Sequence, residues 1–257
     1  MSFLQQMQSL QPTSSEVAEI WISTCRLDDD TDVTLGVAWT VLSSAEAARA
    51  ERFHFARDRE RYVRGRAFLR YALGTTVNQD PAKVALTQIA NGKPFLDERI
   101  HFNLSHSTGL AVLAISTSGP VGIDLEFVDR GIDISGLTRS CFTKGEEQSI
   151  LDLPYSEQAT RFFAFWTAKE ARMKLTGDGM SLSPKQIALD IQDGIPVGYL
   201  QPAYPAAQAV FINLGYPAAL CCLALPLGSL PAMFSCTPDK GRQPISATVC
   251  PKVSAGI

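Results

Sequence analysis

Two long helical stretches, each closed by a glycine and set among short apolar runs, constrain this 257-residue chain most. The first starts where residues 40–43 lead into a helix. Ser43 followed by Glu46 fits a capping box, in which side chain and backbone satisfy each other's hydrogen bonds. The helical pattern runs, with a bend near His54, to Leu73, and Gly74 is a natural stop. The second half repeats the logic. Thr143 and Glu146 form another capping box for a helix to about Leu153, and residues 157–176 form a long helix closed by Gly177. Strand patterns lie at 16–27, 84–90, 100–104, 110–115 and 121–128, then at 186–192, 209–213 and 218–225, the last three in an antiparallel sheet. The class is α+β. Residues 1–15 look like a polar tail, and 28–32 like a solvated acidic turn. From 227 the chain is rich in Pro, Ser and Gly, and 229–257 is expected to be an irregular tail without an assignable role.

Composition excludes several classes. A formal net charge of −3 gives no global reason to bind nucleic acid or an anionic membrane. No apolar stretch reaches the length of a membrane span, and the N-terminus is not expected to be a secretory signal. The six cysteines have no CxxC pair, and the adjacent Cys221 and Cys222 suggest buried thiols and a reducing cytoplasm.

The chemistry concentrates in four places. In residues 121–128 an apolar run is broken only by Asp124 and Glu126. On a strand both acids point to one face, about 7 Å apart. Such a pair repels unless a cation joins it, and oxygen ligands suit magnesium or manganese. The alternative is a strand whose polar face is simply wet. On the long second helix, Phe163, Trp166, Glu170 and Lys174 share a face, as core packing with a surface ion pair or as the lining of a cleft. Between Arg49 and Arg70 there are eight arginines against three acids. That is a solvated face or the seat of an anion, for which a small polyphosphate fits better than nucleic acid, since no nucleic-acid signature is present. Finally, Asn91-Gly92-Lys93-Pro94 makes a turn carrying a positive charge. Ser105-His106-Ser107, at the end of a strand, offers hydrogen bonds to phosphate oxygens.

In order along the chain, RAERF (49–53), RYVRGRAFLR (61–70), NGKPFL (91–96), FNLSHS (102–107), VGIDLE (121–126) and FFAFWTAKEA (162–171), with Lys174 one turn later, resemble the 4′-phosphopantetheinyl transferases of the Sfp type. The resemblance covers roughly residues 16–225. It implies two similar subdomains in a pseudo-twofold arrangement, each an antiparallel sheet packed by a long helix. The expected boundaries are 1–120 and 121–228, with coenzyme A and magnesium (or manganese) bound in the cleft between. It implies transfer of 4′-phosphopantetheine from coenzyme A to a serine of an acyl, polyketide or peptidyl carrier protein, releasing 3′,5′-ADP. Asp124, Glu126 and Glu170 would hold the metal, Glu170 would be general base, and Lys174 would stabilise charge on the diphosphate. Arg49, Arg52, Arg61, Lys93, Pro94, Ser105 and His106 would take the nucleotide end, with Asp124 and Lys174 also at the coenzyme. Where some relatives carry a basic residue at the start of the first long helix, this chain has Glu46. Phe127, Phe142 and the segment after Gly131 are candidates for docking the carrier. A monomer suffices. The rival readings are a metal-dependent phosphohydrolase acting on a nucleotide-like substrate, and a catalytically silent module binding coenzyme A or a carrier.

Overall fold

In a computed structural model the described residues are 19–88, 92–129, 131–200, 206–228, 232–237 and 241–244, with backbone alone at 180, 234–237 and 241–244. The expected polar tail at 1–15 and Asn91 of the predicted turn lie outside them. Contacts divide the chain into two compact units, the described parts of 1–119 with 231–245, and of 120–230.

The first unit is built on a five-stranded sheet. It comprises β1 (Glu19–Arg26), β4 (His101–Ser107), β5 (Leu110–Ser116), β11 (Ala232–Thr237) and β12 (Gly241–Pro244), in the order β12-β11-β1-β5-β4. Pairing is antiparallel except between β1 and β11, which run parallel. The expectation of an irregular tail is therefore corrected at 232–237 and 241–244. β11 supplies the backbone partners that the outer edge of β1 needs, because a bare strand edge leaves a row of unpaired amides. Two minor strands, β2 (Thr87–Gln88) and β3 (Pro94–Phe95), pair with each other, so the strand expected over 84–90 is only two residues long within the described part.

Three helices complete this unit: α1 (Leu35–Thr40), α2 (Ser44–Ala50) and α3 (Ala56–Thr76). The capping box at Ser43 and Glu46 starts α2, and the predicted bend is a full break over 51–55. α3 then passes through Gly74 to Thr76, so Gly74 does not stop it. It is glycine for another reason: a Cβ there would lie 2.6 Å from the carbonyl oxygen of Gln79, where the chain folds back. Val63, Ala67, Phe68, Leu69 and Leu73 of α3 share one core with Trp21, Cys25, Phe102, Leu113 and Ile115 of the sheet.

The second unit has a fully antiparallel sheet of β6 (Gly122–Phe127), β7 (Leu189–Gln192), β8 (Ile195–Tyr199), β9 (Ala207–Ile212) and β10 (Ala219–Pro226), ordered β6-β10-β9-β8-β7. Gln186, read as the start of a strand over 186–192, ends a 3₁₀ turn at 184–186, the strand itself begins at Leu189, and β8 was not foreseen. The helices are α4 (Ile134–Cys141), also unforeseen, α5 (Lys144–Leu151) with its capping box at Thr143 and Glu146, and α6 (Tyr155–Thr176), closed by Gly177. Phe162, Phe163, Phe165, Ala168 and Leu175 of α6 pack with Cys222, Ala224 and Phe211 of the sheet and with Phe142. Burying each such phenylalanine contributes roughly 1.5–3 kcal/mol, enough to fix the rotation of α6. Phe142 is 2% exposed and packs edge-on against Phe162 and Phe165. It is core, and the expectation that it helps dock a partner is corrected. No described helix is long and apolar enough to cross a membrane.

Candidate active site

The acidic strand is not a wet edge. In β6 the alternation of the pleat sends Gly122, Asp124 and Glu126 to one face. Their partners on β10 are Ala224, Cys222 and Leu220, residues on the side of the sheet that packs with α6. Gly122 allows that approach. A Cβ at this position would lie 2.1 Å from the carbonyl oxygen of Ala171 and 2.4 Å from the amide nitrogen of Leu175. Any side chain would push strand and helix apart by more than a contact's tolerance. The glycine at the head of the acidic run thus brings α6 down to the two carboxylates.

Lys174 reaches across that contact. Its Nζ donates to Asp124 Oδ1 at 2.6 Å, and the Asp124 side chain is 4% exposed. A charge-assisted bond this short in a buried setting is among the stronger polar contacts a protein makes. Glu170, one turn earlier, is half-buried, and burial pushes its carboxyl upward. The ammonium of Lys174 opposes that rise, while the negative charges of Asp124 and Glu126 add to it. All three acids therefore feel one another, and Glu126, half-buried, completes the set. The helix face of Phe163, Trp166, Glu170 and Lys174 divides as its order suggests: the two aromatics join the core, and the acid and base meet β6.

The donors are carboxylate oxygens only, the class that suits a hard divalent cation such as magnesium or manganese. Among the described residues, no three His, Cys, Asp or Glu side chains converge tightly enough to share an ion. The cation in contact with Asp124 is the Lys174 ammonium. In kind and charge the set fits a divalent cation, and the strand and helix supply it from two sides.

The residues assigned to a nucleotide divide into two groups. Arg49 is exposed at the end of α2, with its guanidinium 5.4 Å from the centre of the Tyr62 ring, and Arg52 is exposed in the break before α3. Lys93 follows Gly92, which has φ 78°, and is half-buried; burial alone pulls its ammonium down to about 8. Pro94 sits in β3, also half-buried. Arg61, by contrast, is engaged by Asp28, donating Nη2 to Oδ2 at 2.8 Å. Ser105, His106 and Ser107 lie within β4, not in a loop, paired with Val112, Ala111 and Leu110. The period of two therefore sends His106 to the face opposite the two serines. Ser105 is buried and His106 exposed, so the motif cannot present all three groups to one ligand side by side.

Several polar groups that matter were not singled out from the sequence. The turn at 28–32 is exposed over 28–31, as expected, but its acids are paired: Asp28 takes Arg61, Asp30 takes Arg64 at 2.7 Å, and the buried Asp32 takes Arg26. Glu46 is gripped by Arg66 and Arg70. In the second unit Lys169, with no side-chain exposure, donates to Glu146 Oε2 at 2.7 Å, and to the carbonyl oxygens of Pro184 and Cys141 at 2.9 and 3.3 Å. The sequence signal was the repeat itself, a capping glutamate followed 20 to 24 positions later by a basic residue on the long helix.

Two family descriptions match this chain: the 4′-phosphopantetheinyl transferase superfamily over residues 120–221, and 4′-phosphopantetheinyl transferase, N-terminal, over 30–118. The 4′-phosphopantetheinyl transferase psf-1 of Bacillus pumilus is 30% identical over 185 residues, covering 70% of this chain and 78% of that protein. The chain belongs to the 4′-phosphopantetheinyl transferase superfamily. HetI of Nostoc sp., also named a 4′-phosphopantetheinyl transferase, is 40% identical over 154 residues, 58% of this chain and 65% of that protein. The 4′-phosphopantetheinyl transferase Sfp of Bacillus subtilis is 27% identical over 188 residues, 70% of this chain and 81% of that protein. The chain thus spans a little under two thirds of the length of HetI. Asp124, Glu126, Glu170 and Lys174 all fall in the superfamily match, and Arg49 to His106 in the N-terminal one. β11 and β12 lie beyond both.

Proposed function

We propose that this protein moves the 4′-phosphopantetheine group of coenzyme A onto a serine of an acyl, polyketide or peptidyl carrier protein and releases 3′,5′-ADP. The observation that carries the reading is the Asp124–Lys174 contact beside Glu170 and Glu126, inside the segment that matches the superfamily. The serine oxygen attacks the phosphorus bearing the pantetheine arm, and the bond from that phosphorus to the oxygen of 3′,5′-ADP breaks. The serine proton passes to Glu170, whose carboxyl is pushed upward by burial and so holds a proton better than an ordinary glutamate. Lys174 offers positive charge to the diphosphate as negative charge builds on the leaving group. Magnesium, or manganese in its place, held by Asp124, Glu126 and Glu170, would neutralise the diphosphate and polarise its phosphorus. Arg49, Arg52, Lys93, Pro94 and His106 take the nucleotide end, with Ser105 buried in β4 and Arg61 shared between that role and Asp28.

The free thiols of Cys25, Cys141, Cys221 and Cys222 suit a reducing cytoplasm, where we place the protein as a monomer. Chromatographic assay of 3′,5′-ADP tests the reaction. Release is expected only when an apo carrier is present. Breakdown of coenzyme A at equal rate without a carrier would contradict transfer.

A further inference from the structure

Lys174 sits on the carboxylate that the proposed metal would use. The ammonium lies 2.6 Å from Asp124 Oδ1, on an oxygen that the proposed metal set needs. Three carboxylates and one ammonium leave this corner with two net negative charges when all are ionised, the amount that one divalent cation neutralises. Once such a cation is seated on Asp124, the lysine is surplus there, and its flexible four-carbon stem lets it turn to an anion without moving the helix. Its side chain is 26% exposed, so solvent and ligand can reach it, whereas the Asp124 side chain cannot move out to meet them.

We infer that Lys174 is an exchangeable cation: it holds Asp124 until a divalent metal takes that carboxylate, and then passes to the diphosphate of coenzyme A. The exchange rests on the metal reading above and deepens it. It couples metal and coenzyme, since each vacates or fills a place that the other uses, and by linkage the effect is reciprocal. Asp124 is never left as a buried anion without a cation, a condition that would cost the fold heavily.

The test is metal binding, read without catalysis. Manganese affinity is measured by the loss of the free-ion electron paramagnetic resonance signal, for the wild type and for Lys174→Met, which keeps the apolar stem. Without nucleotide the variant is expected to bind manganese about tenfold more tightly, because no ammonium has to leave. Coenzyme A should then sharpen metal binding less in the variant than in the wild type. Independently, the ¹⁵N ammonium resonance of Lys174, assigned by its absence in Lys174→Met, should move when the wild type is saturated with magnesium. It should not move in Asp124→Asn. Equal manganese affinity in wild type and variant, or a Lys174 resonance that stays in place under saturating magnesium, overturns the exchange. Absence of any metal binding to the wild type overturns the metal reading and the exchange together. Metal exchange without carrier modification would sink the transferase activity and leave the exchange standing.

Discussion

Ser43-to-Glu46 in the first unit and Thr143-to-Glu146 in the second are one device used to different ends. Each glutamate closes a capping box and then grips a cation from the unit's long helix. In the first unit the cations are arginines: Arg66 donates Nε to Glu46 Oε1 at 2.7 Å, and Arg70 also reaches the carbonyl oxygens of Pro81 and Val84. In the second, the cation is Lys169, sealed under the Phe142 ring, and the second oxygen of Glu146 takes the amide of Leu189 at 2.9 Å. A guanidinium fork can serve glutamate and carbonyls while its edge stays near water, whereas an ammonium offers three donors from one point. Lys169 therefore makes a compact staple between α5, α6 and the turn at 184–186, one residue before Glu170. The comparison explains the arginine-rich segment: Arg64, Arg66 and Arg70 are held by acids of their own unit, Arg61 is engaged by Asp28 at a half-exposed pair, and Arg49, Arg52 and Arg57 stay exposed to an anionic ligand. It also explains Glu46, which is a buried anchor for two arginines.

Glu146→Ala should be the most damaging change, since it removes a cap, a strand amide's acceptor and the partner of a buried lysine. A loss of about 3–5 kcal/mol in urea unfolding is expected. If Glu146→Ala unfolds at the wild-type urea concentration, the staple has no energetic role. The matching Glu46→Ala should cost less, about 2–3 kcal/mol, because Arg70 keeps two carbonyl acceptors and Arg66 can reach water. Equal losses for the two would erase the distinction drawn here.

Lys93 gives a pH signature. Its ammonium is pulled down to about 8 by burial, so its charge fades as pH rises through that value. The KM for coenzyme A should climb between pH 8 and 9, by up to about tenfold, and stay flat in Lys93→Arg, whose guanidinium stays charged. A flat wild-type profile would remove Lys93 from the nucleotide site. Glu170→Gln should raise the melting temperature at pH 7 in metal-free buffer. The folded protein holds the Glu170 proton more tightly than the unfolded chain, so ionisation costs stability as pH rises above the ordinary value of 4.5. The advantage of the variant should vanish below that pH, and a lower melting temperature at pH 7 would contradict the charge coupling. Arg61→Ala, at a half-exposed pair with Asp28, should change stability by less than about 1 kcal/mol. A larger loss would mean that the acidic turn is a structural clamp in its own right.

What could be read in advance follows from the range of the interactions. Both capping boxes, the repeating face and closing glycine of the long second helix and the alternation of the acidic strand are set by residues near one another in sequence, and they stand as expected. Gly74 misled because a glycine at a close approach looks the same in sequence as one at a helix end. Ser105-His106-Ser107 misled because its alternation is visible only once the hairpin with β5 is known. β11 was hidden in a Pro- and Ser-rich stretch because its partner, β1, lies over two hundred positions earlier, and pairing over that separation leaves no local trace. Of the site, the residue types on β6 and α6 were legible from spacing. The contact of Lys174 with Asp124 was not, since Gly122 sets how closely strand and helix meet.

The most direct test of the transferase reading is intact-mass spectrometry of an apo carrier protein incubated with this protein, coenzyme A and magnesium, beside Glu170→Ala and a magnesium-free reaction. The carrier should gain one phosphopantetheine unit in the complete reaction and in neither control. An unmodified carrier in every reaction, tried across acyl, polyketide and peptidyl carriers, would contradict the account. So would full modification by Glu170→Ala.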